Sequence, residues 1–417
     1  MMKEWRKLQL GDIAVISYGY TAKASVENIG LKFLRITDIQ NDMVDWSSVP
    51  YCQITEDDFN RYKLIDQDIV FARTGATTGK SYLVCDPPKA VAASYLIRLR
   101  VQDTTVSAKF ISKYFQTKEY WDNVSSGISG SAQGGFNASK LSALAIPIPP
   151  LPEQKRIVAI LDEAFEGIDR AIANAEKNLA NSRELFESYL NAIFTQKGEG
   201  WVEKKLEDIC SIKHGFAFKG EFFTAEKSDY ILLTPGSFYE SGGYRDQGEK
   251  TKYYIGDIPE SFILKKGDFL FAMTEQAVGL LGSSLIVPES DKFLHNQRLG
   301  LVQVTEGFEW HNDFFFHQFN TRTFREAVQS SASGVKVRHT SPNKLGAISV
   351  YSPPTIAKQK VVADTLNELH AETQRLETIY RQKIAALNEL KQSILQKAFT
   401  GELTADTPKV VKEEIAA

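Results

Sequence analysis

The segment Pro149-Pro150-Leu151-Pro152-Glu153-Gln154-Lys155-Arg156 opens a long run of helical periodicity, and an imperfect copy of both returns about 205 residues later as Pro353-Pro354 and then Gln359-Lys360. In the first run apolar or small residues fall at Ile157, Leu161, Ala164, Ile168, Ala171, Ala175, Leu185 and Tyr189; in the second they fall at Val362, Leu366, Leu369, Leu376, Tyr380, Leu387, Leu390 and Ile394. Steps of mostly three and four make each a heptad-like seam. Leu161 matches Leu366, Leu185 matches Leu390, Leu190 matches Leu395, and Phe194-Thr195 matches Phe399-Thr400. A chain with this duplication folds as two related units, each with its own helix.

The segments between the helices are repeats as well. Trp5–Ile13 aligns with Trp201–Ile209, and Gly19 then falls opposite Gly215. Asp68-Ile69-Val70-Phe71-Ala72 matches Asp268-Phe269-Leu270-Phe271-Ala272, each read as a short buried strand. Lys140-Leu141 matches Lys344-Leu345, just before closing strands at Ala145–Ile148 and Ile348–Tyr351. Short helices are expected at Phe110–Trp121 and Asn312–Ala327. The fold class is mixed α/β (α+β): two similar sheet-centred domains separated by two long antiparallel helices in a coiled coil, with a pseudo-twofold internal repeat. The expected divisions are a first domain at 1–150, a first spacer helix at 151–198, a second domain at 199–353, a second helix at 354–403 and a polar tail, expected to be disordered, at 404–417.

Pro152 suits a first helical turn, where its missing N–H is not needed, and Gly198 and Gly401 suit C-terminal caps. Some 44 residues at about 1.5 Å each span about 65 Å, a spacer's length. A lone heptad helix exposes its seam, so the natural cover is the other copy. Asn178 and Ser182 in one helix, and Thr373 and Lys383 in the other, interrupt the seam; they either set register or are solvated.

The chain carries 43% apolar and 24% charged residues, has no apolar run long enough for a bilayer and no signal-peptide core at its N-terminus, and so reads as cytoplasmic, with no membrane partner. Cys52, Cys85 and Cys210 lack zinc spacing and read as buried free thiols. The histidines form no metal signature. Net charge is −3, so a polyanion would be held by local patches or with help from partners.

Gly75-Ala76-Thr77-Thr78-Gly79-Lys80-Ser81 resembles a phosphate-binding loop, but only three residues separate its glycines and the following Tyr82–Pro88 is strand-like. No methyltransferase or nuclease constellation is recognisable, and no catalytic residues are assigned. The same loop suits DNA: Arg73 and Lys80 supply charge, and Thr74, Thr77 and the glycines expose hydroxyls and backbone donors. Its counterpart, Met273–Gly279, offers Thr274 and Gln276 on what reads as the same scaffold. Polar loops at Ser129–Asn137 (Gln133, Asn137) and Ser333–Thr340 (Lys336, Arg338, His339) occupy equivalent places, and Asn296-Gln297-Arg298 has amides and a guanidinium suited to purine edges. Arg35 completes the candidate DNA-binding set. A surface loop or a structural turn is the competing reading for each.

The proline-rich Ile146–Ile157 segment before a long helix, the ending Gln396-Lys397-Ala398-Phe399-Thr400-Gly401-Glu402-Leu403, and Asp68–Gly75 together resemble the specificity subunit of type I restriction-modification systems. The resemblance covers nearly the whole chain. It implies two target-recognition domains reading the halves of a split double-stranded DNA site, with the helices setting the gap. It also implies docking of two modification subunits that carry S-adenosylmethionine, and through them restriction subunits that use ATP and Mg; no cofactor is expected on this chain. Thr355-Ile356-Ala357-Lys358 departs from the Leu-Pro-Glu of the first copy. The alternatives from other classes are a scaffold whose paired domains grip peptides and an ATPase built on Gly75–Ser81.

Overall fold

The computed structural model describes residues 5–40, 43–75, 77–129, 136–276 and 278–405. The tail beyond Ala405 and the candidate Gln133 lie outside the described residues. Two compact units form: Met1–Ala175 with Gln382–Ala417, and Glu176–Arg381. Each holds one globular half, part of the first long helix (Leu151–Gln196) and part of the second (Ile356–Thr400).

In the first unit a four-stranded antiparallel sheet runs in the order Ala14–Tyr18, Leu96–Val101, Ile69–Ala72, Ser81–Leu83. The second repeats it as Cys210–His214, Leu299–Val304, Phe269–Ala272, Ser284–Ile286. Both copies of the Ile69–Ala72 strand are wholly buried, as their unbroken apolar runs predict. Asp68 Oδ2 accepts the Ile65 N–H and Asp268 Oδ2 the Lys265 N–H, so each aspartate closes the turn into its strand. A Cβ on Gly19 would sit 2.3 Å from the carbonyl oxygens of Ala92 and Ala93, and one on Gly215 would sit 2.1 Å from that of Asn296. Close backbone approach therefore requires glycine at both matched positions.

The first and last strands of each globular half pair with each other, Arg6–Gln9 with Ala145–Ile148 and Val202–Lys205 with Ser349–Ser352. The chain thus leaves each half where it entered and passes through the proline cluster into a long helix. There a buried glutamine fixes the exit. Gln154 Oε1 accepts the Ser107 N–H at 2.8 Å, and its Nε2 donates to the carbonyls of Thr105 (2.9 Å) and Pro149 (2.7 Å). Gln359 repeats the device: Oε1 accepts the His311 N–H at 2.9 Å and Nε2 donates to Glu309 O at 2.9 Å.

The far end of each helix packs on the other globular half. Phe399 lies 4.9 Å from Phe110 and 5.5 Å from Tyr114 in the first unit; Phe194 lies 5.3 Å from Phe314 and 5.8 Å from Trp201 in the second. The helices run antiparallel. In the first unit Lys391 pairs with Asp169 at 2.8 Å, and in the second Arg183 pairs with Glu377 at 2.9 Å. Such exposed pairs tune orientation and contribute little energy; the apolar seam supplies the rest.

The seam differs from its sequence reading. Leu185 is 65% exposed, and Tyr189 and Leu390 are exposed too, whereas Ser182, Leu190 and Phe194 are buried. Ser182 and Thr373 enter the seam because each hydroxyl donates to a carbonyl of its own helix, Leu179 O and Leu369 O, both at 2.9 Å. Asn178 and Lys383 are solvated. Each short helix also proves to be two, Ala108–Tyr114 with Lys118–Ser129 and Asn312–Phe319 with Arg322–Ser331. Thr117 and Thr321 break them, each hydroxyl bonding a carbonyl behind it and an N–H ahead. The left-handed residue after the first long helix is Lys197 rather than Gly198, while Gly401 takes that role after the second. Cys52 and Cys210 are buried, with burial pushing their thiols up to about 11 and about 12; Cys85 is exposed, contrary to the sequence reading.

Gln154→Leu keeps the volume but strands an N–H and two carbonyls, so it should destabilise the first unit by about 1–3 kcal/mol; Gln359→Leu should do the same to the second, as read from denaturant midpoints. All six histidines lie between His214 and His370, inside the second unit. Burial pushes His295 down to about 4 and lowers His317 and His370. Their folded values lie below the unfolded one, so their contribution is complete above about pH 6.5 and is lost as pH falls toward 4. Hydrogen exchange at pH 5 against pH 7, corrected for intrinsic rates, should show protection lost in Glu176–Arg381 before the first unit.

Candidate nucleic-acid interface

At one end of each central sheet three segments meet through two backbone hydrogen bonds. In the first unit the Arg73 N–H donates to Tyr95 O at 3.3 Å, and Arg73 O accepts the Phe136 N–H at 3.2 Å. In the second the Met273 N–H donates to Arg298 O at 2.9 Å, and Met273 O accepts the Thr340 N–H at 3.0 Å. This junction brings the end of the buried strand, the turn before the next strand, and the residues just before a short capped helix to one place. Asn137 and Ser341 cap those helices, their side chains accepting the N–H groups of Lys140 and Lys344. The candidate loops of the second unit therefore share one site, and in the first unit the Arg73–Lys80 loop meets Phe136 and Asn137, the described end of its second candidate loop.

In the first unit the Arg73 guanidinium lies over the Tyr18 ring at 5.0 Å, and the Tyr18 hydroxyl accepts the Ala138 N–H at 3.3 Å. Thr74, Lys80 and Asn137 are exposed and Thr77 is half-buried. Three of the backbone donors expected of the Gly75–Lys80 loop are already used by the chain's own carbonyls: Thr78 N–H bonds Gly75 O, Gly79 N–H bonds Ala72 O and Lys80 N–H bonds Thr77 O. Gly75 and Gly79 take positive φ to make these turns, and the buried Tyr120 hydroxyl donates to Gly79 O at 2.6 Å. The loop presents the Thr74 and Lys80 side chains to solvent and keeps those three amides to itself. A strand, Ser81–Leu83, follows it, so no helix N-terminus faces a phosphate. Arg35 stands apart from the junction bonds, forked onto Asp38 at 2.7 and 3.1 Å, and an incoming phosphate would have to compete with that carboxylate.

In the second unit Thr274-Glu275 and Arg338-His339 pair as a two-stranded ribbon, Thr274 opposite His339 and Glu275 opposite Arg338. Gln276, Gln297, Arg298, Lys336 and His339 are exposed, and Thr274 is half-buried. Asn296 is buried, its Oδ1 accepting the Arg298 N–H at 2.9 Å, so it shapes the turn that displays Gln297 and Arg298. Arg338 turns inward: its guanidinium donates to the Gln329 backbone and side-chain oxygens and lies 3.5 Å from Glu275 Oε1. The structural counterpart of Gly79 is Gly282, not Gly279. Both donate to the carbonyl of the matched alanine, Ala72 or Ala272, and at both a Cβ would collide with a valine, Val124 or Val328. The second loop is thus three residues longer than the first. Tyr95 stands where Arg298 stands in the other unit and is exposed; its aromatic character carries no motif signal, and only the backbone equivalence finds it. Among the described residues no group of His, Cys, Asp or Glu could hold a metal ion, and no helix is long and apolar enough to cross a membrane.

The family model for the type I restriction modification DNA specificity domain matches this chain at residues 2–179 and 198–386. The chain is 25% identical to the type I restriction enzyme EcoKI specificity subunit of Escherichia coli, over 93% of this chain and 86% of that one. Its fold is similar to that of a solved chain of a type I restriction-modification system, with a TM-score of 0.77 at 16% identity, over 96% of this chain and 98% of that one. The HsdS subunit from Thermoanaerobacter tengcongensis is similar at a TM-score of 0.57 and 15% identity, over 97% and 98%. The two matched regions fall on the two copies of one domain-and-helix plan, and the chain belongs to the type I restriction-modification DNA specificity family.

Proposed function

We propose that each unit reads one half of a bipartite, asymmetric DNA site through its three-loop junction, and that the paired helices set the gap and dock two modification subunits. As a specificity subunit the chain supplies recognition and no catalysis. The observation that carries the reading is the junction itself. Identical backbone bonds hold it in both units, while its side chains differ: Arg73, Thr74, Thr77, Lys80 and Tyr95 in one, Thr274, Gln276, Gln297, Arg298, Lys336 and His339 in the other. Constant scaffold with altered display is what two readers of different sequences need, because base edges are distinguished by side-chain chemistry. Half-sites about one helical turn apart, roughly 34–36 Å, suit two such readers on a rigid spacer.

The near-neutral charge supports a complex in which other subunits neutralise much of the phosphate backbone. On this reading S-adenosylmethionine belongs to the modification subunits, ATP and Mg to restriction subunits, and the complex acts on cytoplasmic DNA. Exchange of residues 1–150 for the first domain of another family member should change one half of the methylated motif and leave the other intact. A change in both halves would contradict independent readout. Arg73→Ala should weaken discrimination at one base pair of the first half by about 1–3 kcal/mol, measured as the ratio of affinities for matched and mismatched sites. A paired peptide-gripping scaffold would instead leave the assembled complex without a DNA footprint.

A further inference from the structure

The second unit joins two of its candidate loops through one buried carboxylate. Glu275 is 3% exposed. Its Oε2 accepts the N–H groups of Gly279 (3.0 Å) and Leu281 (2.8 Å) and lies 3.3 Å from the donating Gln329 Nε2; its Oε1 faces Arg338 at 3.5 Å. Arg338 in turn holds Gln329, so carboxylate, guanidinium and amide form a closed triad. The ribbon is antiparallel, with Glu275 opposite Arg338, so the loop after Glu275 and the loop before Arg338 leave from the same end. The shorter loop of the first unit closes on its own backbone and has Gly75 where this one has Glu275.

Both tethered loops carry bare valines. Val278 is 77% exposed, Val335 is 98% exposed, and Val337 is also exposed. Single exposed apolar residues are ordinary on a surface. Here, however, stiff β-branched side chains sit on two loops pinned by one ionic triad built on a buried carboxylate, with Lys336 between two of them and Gln276 beside the other loop's base. Order at the base and apolar surface at the tip suit a partner with methyl groups in a field of negative charge. Thymine in the DNA major groove has that chemistry.

We propose that Val278 and Val335 contact thymine methyl groups of the second half-site and that Glu275 is the positioning residue that aims both loops. This rests on the reading of the second unit as a DNA reader. The test uses the assembled modification complex and target DNA in which each thymine of the second half is replaced in turn by deoxyuridine. The wild-type complex should lose about fourfold in affinity at one or more of these positions, the contribution of one buried methyl group. Val335→Ala or Val278→Ala should bind thymine and deoxyuridine equally at that position. Glu275→Ala should relax the second half of the methylated motif at several positions and leave the first half unchanged, and Glu275→Gln, which keeps an acceptor oxygen, should recover part of the loss. Wild-type thymine preference retained in both valine variants, a second half without thymine on either strand, or an unchanged motif in Glu275→Ala would overturn the proposal. A wild-type complex that methylates no split motif would overturn the underlying reading as well, whereas a split motif with indifferent variants overturns this inference alone.

Discussion

The structure depends on a side-chain amide at the root of each long helix. Gln154 and Gln359 are buried at 0% and 1% exposure, each satisfying a backbone N–H and one or two carbonyls of its own globular half. A buried amide has no cheap alternative geometry, since every bond it loses leaves a polar group dry. The helix therefore leaves its half along one direction. Apolar packing at the other end, Phe399 against Phe110 and Phe194 against Phe314, closes each unit with a helix that began in the other repeat.

With the helix roots fixed, variation is free to concentrate at the loops. The central sheets keep strand order, turn aspartates and the crowded glycines Gly19 and Gly215. The loops differ in length, charge and internal bonding. The first is tied by its own amides and by Tyr120, the second by the Glu275, Arg338 and Gln329 triad. Two solutions to holding a loop still are compatible with one scaffold, because the junction bonds involve only backbone atoms.

Much of this plan was legible in the sequence: the duplicated helices, the buried Ile69–Ala72 and Phe269–Ala272 strands, and the grouping of candidate loops at matched positions. Periodicity and turn chemistry are local, so they survive translation into structure. What escaped depends on partners distant in sequence. Leu185 and Tyr189 continue a run of apolar residues, yet the buried stripe passes through Ser182, whose hydroxyl is satisfied by its own helix. Arg338 reads as a free DNA-contacting side chain until Gln329 and Glu275 are placed beside it, and for Asn296, read as either a base contact or a structural turn, the structure shows the turn. Gly279 aligns with Gly79 by motif, but the hydrogen bond to the strand's last alanine belongs to Gly282.

The claim that the helices act as a measured spacer, rooted at both ends, can be tested by lengthening them together. Inserting one heptad into each helix within the seam adds about 10 Å, close to three base pairs, and leaves both glutamine anchors and both junctions untouched. Mapping methylated sites with the assembled complex should then show both half-motifs preserved and the gap between them enlarged. An unchanged gap, or a change in either half-motif, would contradict the account.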